Sequence, residues 1–204
     1  MSESELRVVV GLGNPGPDHL RTRHNAGFWF ADALALACEV RFRNETKFQG
    51  ELVKTAVNGH DLLLFKPSTY MNRSGEAVVK LAQFYKIAPR EILVAHDELD
   101  LPAGVARLKQ GGGHGGHNGL RSLHEHIGED YLRLRLGIAH PGAKDKVLGH
   151  VLGRPDPTDE ELMLDAIKRS LEVLPVLLRD GLEKAMNRLH TKSAANDDDD
   201  ADNN

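Results

Sequence analysis

Short apolar runs of strand type alternate with helix-type periodicity through most of this chain. That alternation limits the fold more than any other feature. Residues 6–12 (Leu-Arg-Val-Val-Val-Gly-Leu) read as a buried strand closed by the turn Gly13-Asn14-Pro15-Gly16. Residues 26–38 read as a helix. Residues 48–57 and 61–65 flank Asn58-Gly59, a pair that accepts positive φ and so predicts a hairpin, with Pro67 ending its second strand. Residues 73–85 place Val78, Leu81, Ala82 and Tyr85 on one helical face. Residues 91–95 form a strand ending at His96-Asp97, residues 104–109 another, and residues 120–127 a short helix. Residues 131–138 alternate, which predicts Leu132, Leu134 and Leu136 facing in and Arg133 and Arg135 facing solvent. Thr158-Asp159-Glu160-Glu161 has the pattern of a capping box that opens a long C-terminal helical region, which Pro175 is expected to break or kink. The whole pattern predicts an α/β fold: a single domain with a twisted mixed β-sheet and helices on both faces.

Composition supports that reading and removes some classes. A chain of 204 residues suits one domain with a full hydrophobic core. No run of about 18 apolar residues occurs, so no membrane span is expected. The acidic start, Met1-Ser2-Glu3-Ser4-Glu5, leads straight into the first strand and lacks the pattern of a signal peptide. The single Cys38 excludes an internal disulfide and fits a reducing, cytoplasmic setting. Net charge is −4, but residues 191–204 hold five Asp and one Lys, and the rest balances at 25 basic and 25 acidic residues. Residues 1–190 are expected to be the folded domain and 191–204 a disordered acidic tail. Residues 101–146 carry seven Lys/Arg against four Asp/Glu, a local basic surface compatible with a phosphate-bearing partner.

That basic region contains Gly111-Gly112-Gly113-His114-Gly115-Gly116-His117-Asn118-Gly119, with six glycines in nine residues. It has no apolar side chain to bury, so packing does not explain it. Glycine permits positive φ and close approach, while His and Asn supply donors, acceptors and a group that titrates near neutrality. Amphipathic segments flank the run, which favours a site-forming loop over a flexible linker.

Four further stretches lie where chemistry gathers in α/β proteins. Gly11-Leu12-Gly13-Asn14-Pro15-Gly16 matches the dinucleotide pattern G-x-G-x-x-G, but a polar stretch follows where an apolar helix start is required. His24, in Thr22-Arg23-His24-Asn25-Ala26-Gly27, precedes a helix. Asp97, in His96-Asp97-Glu98-Leu99-Asp100, follows a strand directly and is the acid best placed to orient a histidine. Lys66-Pro67-Ser68-Thr69-Tyr70-Met71-Asn72-Arg73-Ser74-Gly75 joins a strand to a helix, where Asn72 reads first as an N-cap. No G-x-S-x-G elbow or Walker A sequence occurs. His114-x-x-His117 has neither H-E-x-x-H nor a Cys partner, so a metal is disfavoured. The remaining chemistry is water attack assisted by a histidine base, with Asn amides holding a carbonyl or oxyanion.

Taken together, these loops resemble the bacterial-type peptidyl-tRNA hydrolase family. Arg133-Leu134-Arg135-Leu136-Gly137-Ile138-Ala139-His140-Pro141-Gly142 and Val147-Leu148-Gly149-His150-Val151-Leu152-Gly153 also fit, and the likeness runs over residues 6–186. The resemblance implies cleavage of the ester between a peptide and the 3′-terminal ribose of tRNA, by a monomer that uses no metal or organic cofactor. It implies His24 as base, Asp97 as its orienting partner, and Asn14, Asn72 and Asn118 as residues that position substrate and water. It further implies Tyr70, Met71 and His117 at the substrate cleft, and Arg107, Lys109 and Arg135 toward tRNA. His19 stands where the family commonly has Tyr, a change expected to alter affinity and not to abolish activity. The competing readings are a non-enzymatic RNA-binding relative and a nucleotide-dependent oxidoreductase.

Overall fold

The computed structural model describes residues 6–198. Seven strands form one sheet: β1 (Val8–Gly11), β2 (Arg43–Glu45), β3 (Gly50–Val57), β4 (His60–Pro67), β5 (Ile92–Glu98), β6 (Ala106–Gln110) and β7 (Leu132–Gly137). Their spatial order is β2-β3-β4-β1-β5-β7-β6. The central four, β4, β1, β5 and β7, run parallel. The outer strands β2, β3 and β6 pair antiparallel. Helices α1 (Ala26–Ala37), α2 (Ser74–Tyr85), α3 (Asn118–Ile127), α4 (Val147–Val151), α5 (Pro157–Asp180) and α6 (Leu182–Asp198) complete the fold.

Strand alternation distributes the core to two sides. Val9, Leu93 and Ala95 pack with Phe30 and Leu34 of α1, Leu174 and Leu177 of α5, and Leu189 of α6. Val8, Val10, Ile92 and Val94 pack instead with Val78 and Leu81 of α2 and Leu120 and Leu123 of α3. Both faces of the inner parallel strands are therefore covered, which is why β1 and the start of β5 are continuously apolar. The Asn-Gly hairpin forms as its local chemistry dictates, with φ of 48° at Asn58 and 83° at Gly59.

Gly11, at the end of β1, and Gly27, in the first turn of α1, bring that helix against the sheet. A Cβ on Gly27 would lie 2.2 Å from the Ala95 carbonyl oxygen and 2.5 Å from the Leu12 nitrogen. A Cβ on Gly11 would lie 2.3 Å from the Gly27 carbonyl oxygen. Those neighbours are backbone, so they cannot rotate away. Gly27→Ala is expected to destabilise the protein by about 3 kcal/mol, the upper end of ordinary overpacking. Urea unfolding would show this as a lowered midpoint; an unchanged midpoint would mean that α1 slides freely over β1.

Three local expectations differ from the structure. Arg133 is buried, at 3% exposure, because β7 is an interior strand whose face the glycine loop covers. The cap of α5 is Asp156, whose carboxylate accepts from the Asp159 nitrogen at 2.9 Å, two residues before the expected box. α5 runs through Pro175, flanked by buried Leu174 and Val176, and ends at Gly181 with φ of 88°. Apart from these, the acidic tail expected over 191–204 lies in part outside the described residues, at 199–204, while the α6 backbone extends to Asp198.

Candidate active site

The C-terminal ends of β1, β4 and β5 open into one cleft of ≈ 1240 Å³. That exceeds the usual range of small-molecule pockets and leaves room for part of a macromolecule. Three loops after these strands and the glycine loop supply its walls, as expected for the carboxyl end of a parallel sheet.

At its floor, one carboxylate serves two imidazoles. Asp97, at the end of β5, is 3% exposed. His24 lies in a single 3-10 turn that ends where α1 begins, and its Nδ1 sits 2.9 Å from Asp97 Oδ2. His117 approaches from the glycine loop, its Nε2 2.8 Å from Asp97 Oδ1. His117 Nδ1 accepts from the Gly119 and Leu120 nitrogens as the N-cap of α3. Its Nε2 must therefore carry the proton given to Asp97. By the same logic His24 donates Nδ1–H to Asp97, which leaves its Nε2 lone pair for the cleft that His24 lines.

The electrostatics follow from this arrangement. Burial opposes the imidazolium form of His24, but the charge and hydrogen bonds of Asp97 outweigh it, and the pKa rises above the ordinary 6.5. Burial opposes ionisation of Asp97 too, yet the two imidazoles hold it far below the usual carboxylate range. His96 also lines the cleft, its ring edge-on to His117 with centroids 5.2 Å apart. Burial, aided by His117, pushes it down to about 3, so it is neutral, with Nδ1 donating to the Asp97 carbonyl at 2.7 Å.

The asparagines are placed unequally. Asn14 is 7% exposed, and its Oδ1 accepts from the Met71 nitrogen at 2.8 Å. Its amide nitrogen is thereby left for the cleft. Asn25 holds Asn14 from behind: Asn25 Oδ1 accepts from the Asn14 nitrogen at 2.8 Å, and Asn25 Nδ2 donates to the Asn14 carbonyl at 3.0 Å. Asn25 was not singled out by sequence. The only signal was its place beside His24, and its role depends on a partner eleven residues away. Asn72, Asn118, Tyr70 and His19 line the walls, and Met71 is buried beneath them. Asn118 accepts from Arg121 at 3.2 Å.

Of the three expected cations, Lys109 and Arg135 line the cleft, and Arg135 is paired with Glu98 at 2.9 Å. Arg107 does not line it; it lies opposite Arg135 on β6 and donates to the carbonyl of Ala106. Val147, Leu148, Val151 and Leu152, on and beside α4, form an apolar rim that composition did not reveal, with Leu148 68% exposed. Outside the cleft, Trp29 Nε1 donates to the Leu20 carbonyl at 2.8 Å, tying α1 to the turn that carries His19.

His24, Asp97 and His117 form one group of metal-ligand type, with ligand atoms within 4.8 Å of one another. Two ligands about 2.1 Å from one zinc lie roughly 3.4 Å apart at tetrahedral angles. The contacts of 2.8 and 2.9 Å are hydrogen-bond lengths instead. The donor set fits a proton-carrying chain better than a cation.

The family model for peptidyl-tRNA hydrolase matches residues 8–197. A peptidyl-tRNA hydrolase from Vibrio parahaemolyticus is 53% identical over 191 residues, covering 93% of this chain and 97% of its own. One from Proteus mirabilis is 50% identical over 193 residues, covering 94% and 100%. The crystal structure of peptidyl-tRNA hydrolase from Acinetobacter baumannii superposes with a TM-score of 0.90 at 49% identity, covering 93% and 97%. By its strands, its cleft and these relatives, the chain belongs to the peptidyl-tRNA hydrolase family.

Proposed function

We propose that this chain hydrolyses the ester between a peptide and the 3′-terminal ribose of tRNA, with His24 as base, Asp97 as its orienting partner and no metal in the reaction. The observation that carries the reading is the His24–Asp97 pair at 2.9 Å, with Nε2 left toward the cleft, in a member of this family. His24 Nε2 takes a proton from water as the water oxygen bonds to the ester carbonyl carbon. Asp97 stabilises the imidazolium that forms. The amide nitrogen of Asn14, aided by Asn72 and Asn118, faces the oxyanion. Collapse breaks the bond to ribose O3′, and the imidazolium returns its proton to that oxygen. An alkoxide leaves more readily than an amide nitrogen, which spares peptide bonds. Tyr70, Met71, His117 and His19 border the esterified end, while Lys109 and Arg135, with Arg107 further out, face phosphates and make binding salt-dependent. The enzyme acts as a monomer in the cytoplasm. Cys38 is its only cysteine, and no helix among the described residues is long and apolar enough to cross a membrane.

The test is ester cleavage of an N-blocked aminoacyl-tRNA in EDTA, with unblocked aminoacyl-tRNA alongside. Cleavage of the blocked substrate, with the unblocked one spared, is expected. Tight tRNA binding without cleavage would favour the non-enzymatic relative.

The pH profile gives an independent check. Only neutral His24 can accept a proton, so kcat/KM falls as pH falls through its pKa. Because that pKa is raised, the acid inflection is expected above 6.5. An inflection below that value would remove His24 as the titrating base.

A further inference from the structure

Arg133 is a buried cation that the proposed reaction does not use, and it lies under the loop that delivers two residues of the site. Its side chain donates to the carbonyl oxygens of Gly113, at 2.7 Å, and Gly112, and it meets His124 Nε2 at 3.1 Å. The guanidinium lies 5.1 Å from the Tyr131 ring centroid. Among the described residues no carboxylate pairs with it, although Glu129 acts on nearby His124 and Tyr131. Burying a cation without a counter-charge is costly, so an apolar residue would suit an interior strand better. What guanidinium offers here is shape: a planar fork of donors that engages two successive carbonyls at once. Gly112 turns its carbonyl toward that fork at φ of 97°.

The rest of the loop has few other anchors. The Gly111 nitrogen donates to the Tyr131 carbonyl at 3.0 Å, and His117 reaches Asp97 at the far end. Between them the remaining bonds are internal: the His117 nitrogen to the His114 carbonyl at 2.9 Å, and the Gly116 nitrogen to His114 Nδ1 at 3.0 Å. Among the described residues, Arg133 alone hydrogen-bonds residues 112–116 to the sheet.

We propose that Arg133 is a positioning residue: by clamping Gly112 and Gly113 it sets where the loop delivers His117 to Asp97. The proposal rests on the His24–Asp97 reading above. It makes Arg133 act through His117, which a double-mutant cycle measures in the full-length protein. Arg133→Lys keeps the charge and loses the fork, so kcat is expected to fall about tenfold while KM for N-blocked aminoacyl-tRNA changes less than about twofold. Arg133→Met should lose more, so that Lys counts as partial rescue. In a His117→Ala background, Arg133→Lys should change kcat by less than about twofold, because the residue it positions is gone. Additive losses would overturn the proposal, as would a raised KM at constant kcat, the mark of a direct phosphate contact. If His117→Ala alone left turnover intact, the role of His117 at Asp97 would fail first, and this inference with it.

Discussion

His24→Ala is expected to lower kcat by about 10³-fold, within the range that a positioned general base contributes, while tRNA binding stays within about twofold. The residue is 8% exposed and sits at the cleft floor, with Lys109 and Arg135 on the wall. Single-turnover hydrolysis and equilibrium tRNA binding on the same variant separate the two effects. Retained turnover would show that another group activates the water. Equal loss of binding and turnover would mean that His24 holds the loop or the substrate and does not act as base.

The second large effect belongs to Asp97. Two imidazole N–H groups point at its carboxylate, from His24 and His117. In Asp97→Asn an amide offers one oxygen, and its NH₂ faces a donor. One imidazole must then tilt away or change tautomer. His117 is held in its tautomer by the N-cap bonds to Gly119 and Leu120, so His24 is the one that yields. With its proton on Nε2, it has no lone pair for water. A loss of about 10³- to 10⁴-fold in kcat is expected, as when the orienting acid of a catalytic triad is replaced by its amide. The residual activity carries a second signature. Asp97 raises the His24 pKa against burial, so without its charge burial prevails and the acid inflection moves to lower pH. An unchanged inflection would place the titrating group elsewhere.

How much of this was legible in the sequence depended on how local each cause is. The Asn58-Gly59 turn is decided by its own backbone preferences and could be read directly. The continuous apolar character of β1 and the start of β5 signals parallel strands buried on both faces, and the hairpin adds the antiparallel pairing that makes the sheet mixed. Arg133 departs from the expected solvent-facing pattern, because alternation reports a polar strand face without saying what covers it. Here a loop of glycines covers one arginine and leaves the other beside Glu98. His117 was expected as a wall residue, and its reach to Asp97 needed the loop's path across β7. Arg107 was read with Lys109 because they are neighbours in sequence. In a strand, positions two apart share a face, but the edge strand carries Lys109 to the cleft and leaves Arg107 behind. Asn25 was invisible for the opposite reason: it is entirely buried and spends both ends of its amide on another asparagine's backbone.

The indole of Trp29, tied to the Leu20 carbonyl one residue beyond His19, is the chain's sole tryptophan. The molecule thus carries a built-in fluorophore at the junction between α1 and the turn that holds His19. Excited selectively over the three tyrosines, its emission reports on that junction without an added label, so a stopped-flow trace times any shift of the His19 turn when tRNA is added.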